Sequence, residues 1–367
     1  MPIINPFTIV AAIGLKKYLD FMRDYNKPFH AYKSNKPITY VSLFTGIGAF
    51  EVGMRSVLPN AKCLAFAEKL DWKRKIYLRH FPNHPEYDDV KNVPPIKADL
   101  LVGGPSCKSK SALAATSMKY LKQDKSMLAL GLLLKVIKEG NYKDVIIENV
   151  PGSTVSDATT DIIQKELEQH LGKKIYVSTF NACPLSGSSR RRTFFTTFPI
   201  VLEMPQLIKR FEFDLEPYSD VKYGFNEEIS YLTESKEFNT YITERKISKK
   251  YQHPFEKKKH IVDFLNAREG MDRWSFGSDT NKECSSALVT ASGRYPSGIV
   301  VDRRGGDPLA RMMTVGEGER LMGFPKNYLK GVSVGKAFYA LGDSIVVQMA
   351  EFMLANYAIH LERNKKI

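Results

Sequence analysis

Cysteine is scarce in this chain: Cys63, Cys107, Cys183 and Cys284 are the only four in 367 residues. They lie far apart, with no Cys-x-x-Cys pair and no histidine at ligand spacing, which argues against a structural zinc site. A disulfide framework is not expected at this length, and a reducing cytoplasm is the expected compartment. The opening stretch MPIINPFTIVAAIGLKK has an apolar run too short to cross a bilayer, and its lysines follow the run instead of preceding it. It fits neither a transmembrane helix nor a signal peptide, so no membrane partner is expected. Internal repeats and low-complexity linkers are also missing. Acidic side chains are in deficit: 40 Asp and Glu stand against 54 Lys and Arg, a formal net charge of +14. That balance favours a polyanionic partner, because each cation that neutralises a phosphate releases counterions.

What is present is an ordinary globular composition, 43% hydrophobic and 26% charged, long enough for one large domain and a smaller one. Residues 1–36 read as a helical arm with Leu15, Leu19 and Met22 on one side. From residue 38 to about 200, β-branched runs alternate with helical stretches. ITYVSLF, AKCLAFAE, ADLLVGG and DVIIENV read as strands; Ala49 to Leu58, the segment through Trp72 and Tyr77, and SMLALGLLLKVIKEG read as helices. This alternation predicts a doubly wound, mostly parallel sheet, whose ligands bind at the carboxyl ends of the strands. Residues 201–305 are richer in charge and aromatics. Arg245, Lys246, Lys249, Lys250 and Lys257 to Lys259 interleave there with Tyr251 and Phe255, a pattern suited to gripping phosphates. After residue 305 a helical pattern returns.

Four short segments fall at predicted strand ends. VSLFTGIGAFE runs a strand into a glycine turn, where Gly46 and Gly48 let a ligand approach the backbone closely. Such turns occur in many nucleotide folds and in purely structural settings. Glu68 ends the next strand, where a carboxylate can accept from ribose hydroxyls or sit as a plain surface charge. GGPSCKSKS sets Cys107 in a tight loop beside Lys108 and Lys110, and nearby cations favour the nucleophilic thiolate. DVIIENVPG brings Glu148 to the same edge, where a partly desolvated acid suits proton donation. SGSSRRRTFFTTF supplies Arg190 to Arg192 as fixed guanidinium donors.

In this order the segments resemble the blocks of the DNA (cytosine-5)-methyltransferase family. VSLFTGIGAFE is similar to its Phe-x-Gly-x-Gly loop, GGPSC to its Gly-Gly-Pro-Pro-Cys loop, ENV to its Glu-Asn-Val block and RRR to its Arg-x-Arg block. RMMTVGEGERLMGFP, residues 311–325, and GDSIVV, residues 342–347, resemble two later blocks. Departures are Ser106 for the second Pro, Lys108 for Gln, Ser188 for Gln and Asp343 for Asn, which suggest a divergent branch such as a phage or mobile-element enzyme.

The resemblance implies a Rossmann-like class I methyltransferase fold. It implies a catalytic domain over 37–200, a smaller target-recognition domain over 201–305, and a segment over 306–367 that returns to the catalytic domain. It implies a monomer, S-adenosylmethionine as cofactor, no metal, and double-stranded DNA as partner. Cys107 would attack C6 of a flipped cytosine, Glu148 would protonate N3, and Arg192, with Arg190, would hold the O2 edge. Phe44, Thr45, Gly46, Gly48, Gly103, Gly342 and Ser344 would line the cofactor, and Glu68 would bind its ribose. Asp89, with Asp88 as the alternative, would face the adenine amino group beside Val90. Lys108, Arg245, Lys246, Lys249 and Lys250 would contact DNA. Relatives that act on transfer RNA share these blocks but carry a Cys-Phe-Thr signature that this chain lacks.

Overall fold

The computed structural model describes residues 31–32, 36–105, 125–151, 157–204, 285–286, 299–302, 309–312 and 314–364. The arm before residue 31 lies outside them. So do Cys107, Lys108, Arg245, Lys246, Lys249 and Lys250.

The chain divides into two compact units. The first comprises 1–181, 191–204 and 347–367; the second comprises 182–190 and 205–346. The first is built on a seven-stranded sheet. In chain order its strands and helices are β1 (Thr39–Leu43), α1 (Ala49–Val57), β2 (Lys62–Ala67), α2 (Asp71–His80), β3 (Glu86–Tyr87), β4 (Lys97–Gly103), α3 (Lys125–Glu139), β5 (Asn141–Asn149), α4 (Asp157–Leu171) and β6 (Tyr176–Asn181). Two short elements of the second unit follow, α5 (Cys183–Ser186) and β7 (Ser188–Ser189), and then β8 (Arg191–Thr196) re-enters the sheet.

The strand order is β3-β2-β1-β4-β5-β8-β6. From β3 through β5 all pairs are parallel; β8 runs antiparallel to both β5 and β6. The chain moves outward from β1 to β3, then returns to β4 on the other side of β1. That reversal is the point at which doubly wound sheets bind ligands.

Both faces of the sheet are covered, so its central strands read as continuous apolar runs instead of alternating ones. Val41 and Leu43 point into one core layer with Leu101, Val145 and Ile147, closed by Leu130, Leu133 and Val136 of α3 and Ile163 and Leu167 of α4. The opposite layer includes Tyr40, Phe66 and Phe194. A further helix, α8 (Val347–Asn364), packs on α1. The two backbones come so close that a Cβ on Gly53 would lie 3.3 Å from the Glu351 nitrogen. Asn356 on α8 accepts from the backbone N–H groups of Val201 and Leu202, at 2.8 and 2.9 Å.

In the second unit, β7 pairs with β9 (Ser285–Ser286), and β10 (Ile299–Asp302) pairs with β11 (Leu309–Met312). Helix α6 (Val315–Leu321) opens on a capping box in which Thr314 accepts from the Glu317 N–H and Glu317 accepts from the Thr314 N–H. Helix α7 (Val334–Asp343) completes the described part. By length and composition the stretch Val334–Asn364 could cross a membrane, but 83% of its apolar 18-residue window is buried inside the protein, as in core helices.

Cys183 is disulfide-bonded, a single bridge and not the framework that the chain length argues against. Its partner lies outside the described residues.

Candidate active site

The register of the parallel strands sets the site. Leu43 is level with Ala67 and with Gly103, and Gly103 is level with Ile147. The next residue along each, Phe44, Glu68, Gly104 and Glu148, therefore occupies one common level at the carboxyl edge. Four segments that are distant in sequence meet there because four parallel strands end together.

The turn after β1 is made by left-handed backbone. Phe44, Gly46 and Gly48 have φ of 55°, 60° and 93°. A non-glycine residue in that region carries a steric cost, so Phe44 is held there by its surroundings. Thr45 anchors the turn through its N–H to the Ala67 carbonyl at 3.1 Å. The Glu68 carboxylate is buried and fixed at both oxygens: Oε2 accepts from the Gly46 N–H at 3.0 Å and Oε1 from the Leu70 N–H at 2.9 Å. A carboxylate offers about four acceptor positions, so each oxygen keeps one for a ligand diol. Among the described residues, a Cβ added to Gly46 would meet nothing within 4 Å, which leaves open space above the turn.

Further along the edge, Asp89 caps the short 3-10 turn Val90–Asn92 by accepting from the Lys91 N–H. Its other oxygen lies 3.5 Å from Lys69 Nζ. Asp88 is exposed, and the Asn92 amide bonded to it holds its carboxyl below the usual range. Val90 is part of the core layer beneath the edge. Gly103 is needed because a Cβ there would lie 2.9 Å from the Leu43 carbonyl oxygen.

Glu148 and Arg192 form a pair, with Nε 2.6 Å from Oε1. The sheet explains it. Glu148 is level with Phe194 on antiparallel β8, and Arg192 lies two residues before Phe194 on the same face, a diagonal neighbour within reach of a long side chain. Next to it, the Asn149 side chain accepts from the Val150 N–H and shapes the exit turn. Gly104 faces this carboxylate, for a Cβ there would stand 2.6 Å from Glu148 Oε2.

Residues 38–358 match the C-5 cytosine-specific DNA methylase family, which spans most of the chain. The chain belongs to that family. It is 26% identical over 344 residues to the type II methyltransferase M.SsoII of Shigella sonnei, covering 91% of this chain and 82% of that protein. It is 25% identical over 349 residues to a type II methyltransferase of Lactococcus lactis subsp. cremoris, covering 92% and 82%. The fold is similar to that of Spodoptera frugiperda DNMT2, with a TM-score of 0.58 at 16% identity over 87% of this chain and 99% of that one. A putative DNA modification methyltransferase encoded within an Escherichia coli prophage gives a TM-score of 0.55 at 16% identity, covering 89% and 99%.

In the second unit of this methylase, Arg190 is buried, and its Nη2 donates to the carbonyls of Gly342 and Ser344 at 2.9 and 2.5 Å. Its guanidinium thus braces the Gly342–Ser344 turn. The RMMTVGEGERLMGFP block is likewise structural in what it shows: buried Glu319 accepts from the N–H groups of Asn327 and Leu329, at 2.9 and 2.6 Å. Among the described residues, no group of three or more His, Cys, Asp or Glu side chains is arranged to hold a metal ion.

Sequence reasoning missed two residues at this edge. Gly104 was overlooked beside Gly103, and only strand register reveals that it faces Glu148. Arg74 carries no motif, and its signal is purely spatial.

Proposed function

We propose that this methylase transfers the methyl group of S-adenosylmethionine to C5 of cytosine in duplex DNA. The observation that carries the reading is the Glu148–Arg192 pair, set at the same strand-end level as the Phe44 turn and Glu68. The residues at the edge fit the cofactor: open space above Gly46, a rigid carboxylate with acceptor capacity at Glu68, and an acid at Asp89. Phe44, Thr45, Gly46, Gly48 and Gly103 would line it.

When bound, S-adenosylmethionine supplies an electrophilic methyl group on a sulfonium. The chain's own groups make cytosine able to take it. The Cys107 thiolate adds to C6 of the extruded base while Glu148 gives a proton to N3, so C5 gains enamine character. Arg192 holds the O2 edge and keeps the Glu148 carboxyl oriented. After methylation, a solvent hydroxide or water takes the C5 proton, the C5–H electron pair expels the thiolate from C6, and N3 returns its proton to Glu148, which restores the neutral aromatic base. Two other cysteines are poor candidates for the nucleophile. Burial, with Glu51 nearby, pushes the Cys63 thiol up to about 12, and Cys183 is in a disulfide. The two type II relatives support a modification role of the restriction–modification kind. The chain would work as a monomer in the cytoplasm of a prokaryotic or phage-infected cell, with Lys108, Arg245, Lys246, Lys249 and Lys250 on the DNA phosphates.

A tritium-transfer assay offering duplex DNA and transfer RNA side by side tests the substrate. Label in DNA alone is expected; label in RNA alone would reject the reading. In the same assay Cys107→Ser should lose at least 1,000-fold in rate, a magnitude on the order of that seen when nucleophiles are removed, while cofactor binding persists.

A further inference from the structure

Arg74, on α2, donates in four directions. Its Nη1 donates to the carbonyl oxygens of Glu68 and Lys69, both at 3.0 Å. Its Nε donates to Glu86 on β3 at 2.7 Å, and its Nη2 to Asp71 in the first turn of α2 at 3.3 Å. The side chain is only 13% exposed. The two carbonyls belong to the turn that leaves β2, and the Leu70 N–H of that turn holds the Glu68 carboxylate. One guanidinium thereby ties the end of β2 to β3 and to the start of α2. It also fixes the peptide planes from which Glu68 reaches back to the Gly46 N–H.

We infer that Arg74 is a positioning residue for cofactor binding, acting through Glu68. It touches no substrate; it sets where the Glu68 oxygens stand relative to the glycine turn. This inference deepens the proposed function and rests on Glu68 serving the ribose diol. Lysine cannot replace it fully, because a single ammonium lacks the planar fork that serves two carbonyls and two carboxylates in fixed directions.

The test is calorimetric titration of the full chain with S-adenosylmethionine and with S-adenosylhomocysteine. Arg74→Ala is expected to weaken both at least about 10-fold, the effect of losing charge-assisted hydrogen bonds around a ligand-binding carboxylate. Arg74→Lys should recover part of the loss. At saturating cofactor, kcat and the KM for DNA should stay near wild type. The deciding measurement is a double-mutant cycle with Glu68→Gln. If Arg74 acts through Glu68, Arg74→Ala should cost little more in the Glu68→Gln background. Additive losses, or an unchanged Kd in Arg74→Ala and Arg74→Lys alike, would overturn the inference while leaving the methylase reading intact. Failure of the wild-type chain to bind either compound would instead overturn the cofactor site itself, and the inference with it.

Discussion

At the scale of single residues, the position of Glu148 is set by its two neighbours. Glu148 is confined on one side by Arg192 and on the other by the bare backbone of Gly104. A methyl group at 104 would force the carboxylate away while Arg192 still pulls at its other oxygen. Gly104→Ala should therefore lower single-turnover methylation by about 100-fold, the effect of roughly 1 Å of misplacement, while cofactor affinity stays at the wild-type level. Rapid-quench kinetics beside calorimetry would check this, and a wild-type rate would show that Glu148 has freedom the packing denies. Arg190 makes the opposite point. The Arg-x-Arg pattern treats Arg190 and Arg192 as equals, yet one braces a backbone turn and the other faces the acid. The residue string holds only the alternation; the partner is fixed by the fold.

At the scale of elements, carboxylic acids are buried on two sides of α1: Glu51 beside Tyr40 and Cys63 of the sheet and Tyr77 of α2, and Glu351 of α8 beside Ser56. Burial raises both Glu51 and Glu351 from 4.5 to about 7; hydroxyl partners, Ser42 and Ser56, pull each partly back. In the folded chain each keeps its proton up to about neutrality, whereas unfolded it loses it near 4.5. Their stabilising contribution is thus complete below about pH 4.5 and is lost as pH rises through 7, on the order of 3 kcal/mol per group. Thermal unfolding between about pH 5 and pH 8 should show a decline in wild type that Glu51→Gln with Glu351→Gln flattens. A parallel decline in the double variant would show that these acids do not titrate with unfolding. The elements themselves were largely legible. Strong apolar runs bounded by glycine and charge placed β1, β2, β4 and β5 to within a few residues, because both sheet faces are covered. The insertion of β8 between β5 and β6 was not legible, since its pairing is made with residues far along the chain and its apolar run would suit a parallel strand equally well.

At the scale of the whole molecule, the net charge of +14 makes salt the natural probe of the partner. A clamp neutralising about six phosphates should lose on the order of 1,000-fold in DNA affinity between about 50 and 200 mM salt. Titrating a labelled duplex at several ionic strengths would measure the slope. A flat response would show that the basic surface faces something other than a phosphate backbone. The cysteine inventory also reads differently at this scale: spacing along the chain gave no hint of a bridge at Cys183, because a disulfide records proximity in space.

The first unit is assembled from three separate stretches, the last beginning at Val347. During translation the ribosome must therefore deliver the entire second unit before it delivers the helix that covers α1. Until then one flank of the sheet stays bare, and the half bearing Glu68 and Glu148 waits unfinished. A message broken before codon 347 therefore yields a chain that lacks the last stretch of its first unit, the helix that packs on α1.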